Sequence, residues 1–132
     1  MAISFDKALG VHQYTVGLRA ERAEILASNL ANANTGNYKA KDLDFSRALQ
    51  AAKSKLGFRL NGSDGRHISS SQKVGAGVIL YRIPIQPDTG DGNTVDTQLE
   101  RNLFMQNTIE YQASLDLLSS KFRNMTKAFK GE

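Results

Sequence analysis

The chain has 132 residues, of which 40% are hydrophobic, and it contains two histidines and no cysteine. That length suits one domain with a modest core, and the lack of cysteine excludes a disulfide framework, a thiolate metal site and a cysteine nucleophile. The net charge of +4 is unevenly spread, since residues 39 to 82 carry nine Lys/Arg against three Asp/Glu and residues 83 to 120 carry one against six. Such blocks favour pairing between oppositely charged stretches of neighbouring chains, or they are a solvated surface with chance segregation.

The first predicted element is a helix over residues 3 to 34 that is apolar on two sides. One stripe recurs every seven residues, with Phe5 and Leu26 beside it, and consists of Leu9, Val16, Ala23 and Leu30. The second set lies about 200° away at 100° per residue and consists of Val11, Tyr14, Leu18 and Ile25. One small partner cannot cover both sides, so either the middle of the chain or neighbouring subunits cover the second. If subunits do, we expect Tyr14, Leu18 and Ile25, or the opposite stripe, to be exposed in an isolated chain.

This helix is expected to end in an asparagine-rich segment, LASNLANANTGNYKAKDLDF, at residues 26 to 45. Asparagine is a mediocre helix former because its amide competes for backbone hydrogen bonds. Asn29 and Asn32 share a face, and their amides either bond across to another helix or fray a helix that is already ending. Gly36 and Asn37 both tolerate positive φ, which predicts a chain reversal before Tyr38.

The same segment resembles the signature of flagellar rod and hook axial proteins, in which an N-terminal helix ends in a segment like ANNIANxxTPGYK. Where that family usually has Pro then Gly before Tyr, this chain has Gly36 and Asn37. The residues that carry this part of the resemblance are Asn29, Asn32, Asn34, Thr35, Gly36, Tyr38 and Phe45.

The middle segment, residues 35 to 94, is predicted to be a turn, a short helix and an irregular, partly extended stretch. Residues 46 to 56 fit a short helix, whereas glycines punctuate most of the segment after Leu56. Residues 78 to 85, VILYRIPI, read as a strand that Pro84 confines to an edge or an extended arm. A long connection of this kind is usually functional, disordered or ordered by a partner.

The last segment, residues 95 to 132, is predicted to be a second long helix, which Asn93, Thr94 or Asp96 can cap. The negative charge of Glu100 near its start is favourable to the helix dipole. It carries a nearly continuous apolar seam of the coiled-coil type, formed by Phe104, Tyr111, Leu115, Leu118, Phe122, Met125 and Phe129. The fold class expected is mainly α, with the two long helices paired antiparallel as a coiled-coil-like hairpin. The chain then forms one structural unit of three segments, which are residues 1–34, 35–94 and 95–132.

The start of the last helix also resembles the proximal rod branch of the flagellar basal-body rod protein family, through DGNTVD, a following Glu and a later Asn-x-x-x-Tyr. The matching residues are Asn93, Val95, Asp96, Glu100 and Asn107, with Tyr111. The resemblance implies a structural subunit of the helical tube that transmits torque and passes exported subunits. It implies as partners copies of the chain, other rod proteins, a FliE-type adapter and the MS ring, and as location the periplasmic rod of the basal body.

Subunit packing in such a tube is expected to bury one or both apolar sides of the helical pair. The candidate residues are Leu9, Val11, Tyr14, Val16, Leu18, Ile25, Leu26, Leu30, Tyr111, Leu115, Leu118, Phe122, Met125 and Phe129. If Leu18 faces a neighbouring subunit, Leu18→Asp should abolish assembly and leave the helix content of the monomer nearly unchanged.

Signals for an enzyme, a cofactor or a metal are weak. His12 and His67 are not in a metal-binding spacing, and we expect Asp42 and Asp44 to cap a helix or pair with Lys39 and Lys41. We therefore predict no enzyme and no cofactor; a peptidoglycan-cleaving enzyme would need two carboxylates flanking a sugar cleft.

The alternative function is a basic nucleic-acid-binding module using residues 39 to 82. No stretch approaches the roughly 20 apolar residues of a membrane span, and Asp6, Lys7 and His12 interrupt any apolar run that could be the core of a signal peptide. By itself this indicates a cytosolic protein, whereas the rod resemblance implies type III export without a cleaved signal peptide.

Overall fold

The computed structural model describes residues 8–56, 79–85 and 90–131, without the side chains of residues 54–56. In chain order the elements are α1 (His12–Ala31), β1 (Lys41–Leu43), α2 (Phe45–Leu56), β2 (Ile79–Tyr81) and α3 (Thr97–Lys130). The predicted mainly helical class with two long helices is confirmed. The expectations for Phe5, His67 and the glycine-rich stretch after Leu56 fall outside the described residues.

Helices α1 and α3 pack against each other in opposite directions. Arg19, early in α1, contacts Ser114 and Glu110, whereas Asn29, ten residues later, contacts Glu100. Residue numbers therefore rise along one helix as they fall along the other, which confirms the antiparallel hairpin. At 1.5 Å per residue α3 is about 51 Å long and α1 about 30 Å.

Both ends of α3 have the capping groups that a helix requires. The Asp96 carboxylate accepts hydrogen bonds from the N–H groups of Gln98 at 2.9 Å and Leu99 at 3.2 Å. At the other end Gly131 adopts φ 75°, and its N–H donates to the Lys127 carbonyl at 3.0 Å. Of the three caps considered from the sequence, the structure uses Asp96.

The two strands form an antiparallel pair in which Lys41 lies opposite Tyr81 and Leu43 opposite Ile79. The predicted strand is therefore present but short. Directly after β1, the Asp44 carboxylate accepts hydrogen bonds from the Arg47 N–H at 3.1 Å and the Ser46 hydroxyl at 2.8 Å. These bonds start α2 and confirm the capping role expected for Asp44.

The compact core lies between α1, β1 and α2. Leu18, Leu43 and Ala48 are 2%, 4% and 0% exposed and form one cluster. Residues packed against it include Ile25, Phe45 and Leu49. The middle of the chain thus covers the second apolar side of α1, which is the first of the two alternatives given above. The expectation that Leu18 is exposed in an isolated subunit is wrong, because Leu43 and Ala48 bury it within the same chain.

The opposite stripe of α1 is covered to different degrees. Leu9 and Leu26 are buried, while Val16, Ala23 and Leu30 are only half-buried. On α3 the apolar seam is also incompletely covered. Its half-buried members are Phe104, Tyr111, Leu115, Leu118 and Met125. Phe122 is 45% exposed and Phe129 is 77% exposed.

The α3 residues that are buried are polar, namely Glu100, Asn107 and Ser114. The apolar seam lies about 45° around the helix from this row at 100° per residue. Glu100, which the sequence suggested as a charge favourable to the helix dipole, is fully buried instead. Among the described residues, no helix has the length and apolar character needed to cross a membrane.

Candidate functional site: the junction of the two sequence motifs

The junction is the region where the turn after α1, residues 32–42, meets residues 91–96 before α3. At its centre lies Asn29, which is in the last turn of α1, bonds this region through Tyr38 and Lys41, and is 0% exposed. The Asn29 amide nitrogen donates to the Lys41 carbonyl at 2.7 Å and to the Glu100 carboxylate at 3.1 Å. Its oxygen accepts from the Lys41 N–H at 3.1 Å and the Tyr38 hydroxyl at 3.3 Å. One amide therefore joins the end of α1 to β1 and α3, which agrees with the cross-helix alternative for Asn29.

Asn93, which belongs to the other motif, forms hydrogen bonds to the turn that follows α1. Its amide nitrogen donates to the carbonyls of Asn32 at 3.1 Å, Ala33 at 2.7 Å and Thr35 at 2.9 Å. Its oxygen accepts from the Val95 N–H at 2.8 Å. These carbonyls belong to the residue that ends α1 and to the turn after it, so a distant side chain holds this turn in place, whereas Asn32 and Ala33 cap the last carbonyls of the helix locally.

Backbone hydrogen bonds hold the two motifs side by side. The Asn37 N–H donates to the Asp91 carbonyl at 2.9 Å, and the Thr94 N–H donates to the Tyr38 carbonyl at 3.0 Å. The Ala40 N–H donates to the Thr94 hydroxyl at 2.9 Å. The two stretches are more than fifty residues apart in sequence, so these bonds fix how the chain returns to α3.

The closest approach in the junction involves Gly92. Gly92 has φ +72°, and a Cβ added there would lie 2.3 Å from Oδ1 of Asn37. Asn37 itself has φ 60°, whereas Gly36 is not among the positive-φ residues. The predicted reversal is present, and Asn37 provides its left-handed residue. The Lys39 ammonium donates to the Gly92 carbonyl at 2.6 Å.

Beside Asn29 lies a cluster of four charged side chains. Arg22 binds both oxygens of Asp42, at 2.9 and 3.0 Å. Arg82 donates to Asp42 at 3.0 Å and also pairs with Glu100. The Arg82 N–H donates to the Ala40 carbonyl at 2.8 Å. The cluster therefore connects α1, both strands and α3, and the arginine partners of Asp42 correct the predicted pairing with Lys39 and Lys41.

The charges of the cluster shift two of its ionisation equilibria. Burial by itself raises the pKa of the Asp42 carboxyl, but hydrogen bonds from Arg22 and Arg82 and the charge of Arg22 together hold that pKa below its usual range. The hydrogen bond to Asp42 raises the pKa of the Arg22 guanidinium, against the opposing effect of burial. Both groups are therefore ionised in the folded chain at neutral pH.

Farther along α1, Arg19 continues the polar contact between the long helices. It pairs with Glu110 and donates from Nε to the Ser114 hydroxyl at 3.2 Å. Its guanidinium carbon lies 4.6 Å from the centre of the Phe45 ring. Phe45 thus supports Arg19 from the side of α2 rather than joining the junction.

The structure brings together only part of the motif that the sequence singled out. The residues gathered at the junction are Asn29, Asn32, Thr35, Tyr38, Asn93, Val95 and Glu100. Asn34 is exposed, Asp96 caps α3, and Asn107 lies farther along α3, where its amide donates to the Arg19 carbonyl.

Sequence reasoning missed Arg22 and Arg82. Arg22 precedes Asn29 by seven residues and so shares its helix face, which was a usable signal. Arg82 had no comparable signal, because its partners Asp42 and Glu100 are distant in sequence.

The chemistry of the junction is that of a structural contact. Within the part of the chain that the structure describes, no group of three or more His, Cys, Asp or Glu side chains could hold a metal ion. In the basic stretch, Arg82 binds two carboxylates, and Lys41 lies 5.7 Å from the centre of the Tyr81 ring. Arg82 thus holds the strands to the rest of the molecule, and the contact between Lys41 and Tyr81 joins the two strands to each other.

Comparison with known proteins gives one consistent result. Residues 15–39 match a family model described as flagella basal body rod protein. The flagellar basal body rod protein FlgB of Aeromonas hydrophila is 52% identical over 132 residues, which cover 100% of this chain and 99% of the relative. The protein of the same name from Salmonella typhimurium is 39% identical over 132 residues, covering 96% and 95% of the two chains. That of Cereibacter sphaeroides strain ATCC 17029 is 40% identical over 128 residues, covering 97% and 98%.

Proposed function

Since this chain belongs to the FlgB family of flagellar basal body rod proteins, we propose that it is a proximal rod subunit that assembles through its paired long helices. The observation that carries the proposal is 52% identity over the whole chain to a protein named flagellar basal body rod protein FlgB. The family is structural and is not a family of enzymes. Its location is accordingly the flagellar basal body.

The rod is a helical tube that transmits torque and passes exported subunits. A tube of this kind is built from one repeated pair of different surfaces, because such a contact does not close on itself. The partners are copies of this chain and other rod proteins, with a FliE-type adapter and the MS ring at the cell-proximal end. The subunit reaches this periplasmic position by type III export, without a cleaved signal peptide.

The packing surface that we propose is the incompletely covered apolar side of the helical pair. Phe122 and Phe129 are large, apolar and exposed near the end of α3. Tyr111, Leu115, Leu118 and Met125 continue the same seam and are half-buried. Burying such side chains against a neighbouring subunit is favourable by roughly 25 cal/mol per Å² of apolar surface.

Complementation of an Aeromonas hydrophila strain that lacks FlgB tests the rod function directly. We expect this chain to restore motility and to be present in isolated basal bodies. If the chain is made and exported but is absent from basal bodies, the assignment as a rod subunit is wrong.

A matched pair of variants tests the packing surface. The change Phe122→Asp with Phe129→Asp should prevent incorporation while the circular dichroism of the purified subunit stays unchanged, because both side chains are exposed. Asn124→Asp introduces the same kind of charge at an exposed position on another side of α3 and should assemble normally. Normal assembly of the double variant would show that the seam is not a subunit interface.

A further inference from the structure

The contact surface between α1 and α3 has a row of buried polar residues where a helical pair usually has apolar ones. Glu100, Asn107 and Ser114 are spaced by seven residues and are 0%, 0% and 8% exposed. Seven residues are close to two helical turns, so the three side chains lie in line along one face of α3. We call these three residues the polar row.

Each member of the polar row is hydrogen-bonded to α1, Glu100 to Asn29 and the other two to Arg19. Glu100 accepts from the Asn29 amide at 3.1 Å, and Asn107 donates to the Arg19 carbonyl at 2.9 Å. Ser114 accepts from Nε of Arg19 at 3.2 Å. If α3 slid along α1 by one turn, which is about 5 Å, all three of these hydrogen bonds would be broken together.

Asn107 shows that the row is not arranged for stability alone. Its side-chain oxygen is buried and has no hydrogen-bond partner among the residues that the structure describes, although its nitrogen is bonded. A buried acceptor without a partner costs free energy, and an apolar residue of similar size is often at least as stabilising. A polar residue at one such position in a coiled coil instead fixes register and partner choice.

We propose that the polar row selects the pairing of α1 with α3 of the same chain, in one register, over pairing with the helices of a second copy. Hydrophobic contact is non-directional, so the apolar residues beside the row tolerate several registers and several partners. Only the native register gives Glu100, Asn107 and Ser114 their α1 partners. This inference concerns the isolated subunit and is independent of the proposed place in the rod.

The test removes two members of the row and measures the register in the full chain. Asn107→Leu with Ser114→Ala leaves Glu100 in place because that carboxylate also binds Arg82. The natural chain has no cysteine, so Ala20→Cys and Gln112→Cys, both at exposed positions, give specific sites for spin labels. Electron spin resonance then measures the distance distribution between the labels, and analytical ultracentrifugation measures the oligomeric state.

We expect the native row to give one label distance and a monomer. The double variant should keep its melting temperature but show either a second label distance, as expected if α3 slides along α1, or a dimer population. The control Asn102→Leu changes an exposed asparagine of α3 and should behave like the native chain.

Two outcomes would overturn the proposal. One is a folded double variant that is monomeric with a single unchanged distance, which would show that the register is selected without Asn107 and Ser114. The other is a lower melting temperature with a single register, for the double variant or for Asn107→Leu alone, which would show that the row only stabilises the fold.

Discussion

Asn29 is the fully buried residue that joins the end of α1 to β1 and α3. Its amide uses both ends to bind Lys41, Tyr38 and Glu100, and it is completely buried. A buried polar side chain is stabilising only when its partners are present, and the same holds for those partners. This explains why an amide, which is a poor helix former, occupies the last turns of α1.

Replacement of this amide should therefore destabilise the subunit strongly. We expect Asn29→Ala to lower the free energy of unfolding by about 2 to 3 kcal/mol, because the Lys41 and Glu100 groups lose partners in a buried place. Urea denaturation followed by circular dichroism measures the change. The control Asn34→Ala, at an exposed position of the same motif, should change the value by less than about 0.5 kcal/mol. If the two variants lose the same free energy of unfolding, the buried hydrogen bonds of Asn29 do not stabilise the subunit.

Gly92 is the second residue at which a small change should disturb the junction, because a single added Cβ would meet a neighbouring side chain. A Cβ on Gly92 would meet Asn37 at 2.3 Å, whereas one on Gly90, which also has positive φ, would meet nothing within 4 Å. Both alanine variants carry the backbone strain of about 1 kcal/mol, so only the contact differs. We expect Gly92→Ala to unfold at lower urea than Gly90→Ala, and Asn37→Gly to remove most of that difference. If the two alanine variants are equally stable, the close approach has no energetic weight.

At the scale of elements, the charged cluster explains how a two-stranded sheet is held to the helices. Arg22 on α1 and Arg82 beside β2 share the Asp42 carboxylate of β1, and Arg82 also binds Glu100 of α3. Both arginines have side chains that are less than a fifth exposed. Breaking a buried pair by removing one partner is usually more harmful than the net value of the pair, so the elements depend on one another.

The cluster should also make stability depend on pH in a defined direction. The folded pKa of Asp42 lies below its unfolded value, so its contribution is fully present above the unfolded carboxyl pKa of about 4 and is lost as pH falls through the folded pKa. We expect the stability difference between the native chain and Asp42→Asn to be constant between about pH 5 and 7 and to shrink in more acidic solution.

Thermal unfolding as a function of pH measures this difference. The control Asp116→Asn changes an exposed carboxylate of α3 and should follow the native profile closely. A difference between native chain and Asp42→Asn that grows as the solution becomes more acidic would contradict the lowered pKa of Asp42.

At the scale of the whole molecule, the subunit has a well-covered end and a poorly covered end. The junction, the charged cluster and the Leu18 core lie where α1 meets the strands, α2 and the first half of α3. Toward its C-terminus α3 exposes Phe122 and Phe129. Protection against hydrogen exchange follows buried, hydrogen-bonded structure, so the two ends should differ in a free subunit.

Hydrogen exchange in the purified subunit and in isolated basal bodies should show this difference. We expect residues 22–29 and 97–107 to be protected in both states, and residues 119–130 to gain protection only after incorporation. Equal protection of the last segment in both states would mean that α3 is not covered by a neighbouring subunit. In that case the proposed packing surface would have to lie elsewhere.

The sequence by itself determined the two long helices, their antiparallel pairing, the short helix after β1 and the turn at Asn37, because these follow from local periodicity, capping groups and glycine or asparagine conformations. It also identified Asn29, Asn93 and Glu100 as notable positions. Periodicity does not say which partner a side chain meets, so it leaves open whether Leu18 faces a neighbouring subunit or the core of its own chain.

Only the tertiary structure decided that Asn93 holds the turn after α1 from sixty residues away, that Arg82 joins Asp42 and Glu100, and that polar rather than apolar residues of α3 are buried against α1. The physical reason is that hydrophobic burial depends mainly on area, and a repeating pattern in one chain reports it well. A hydrogen bond or ion pair needs two specific groups within about 3 Å. Which distant residues meet at that distance is fixed only when the whole chain has folded.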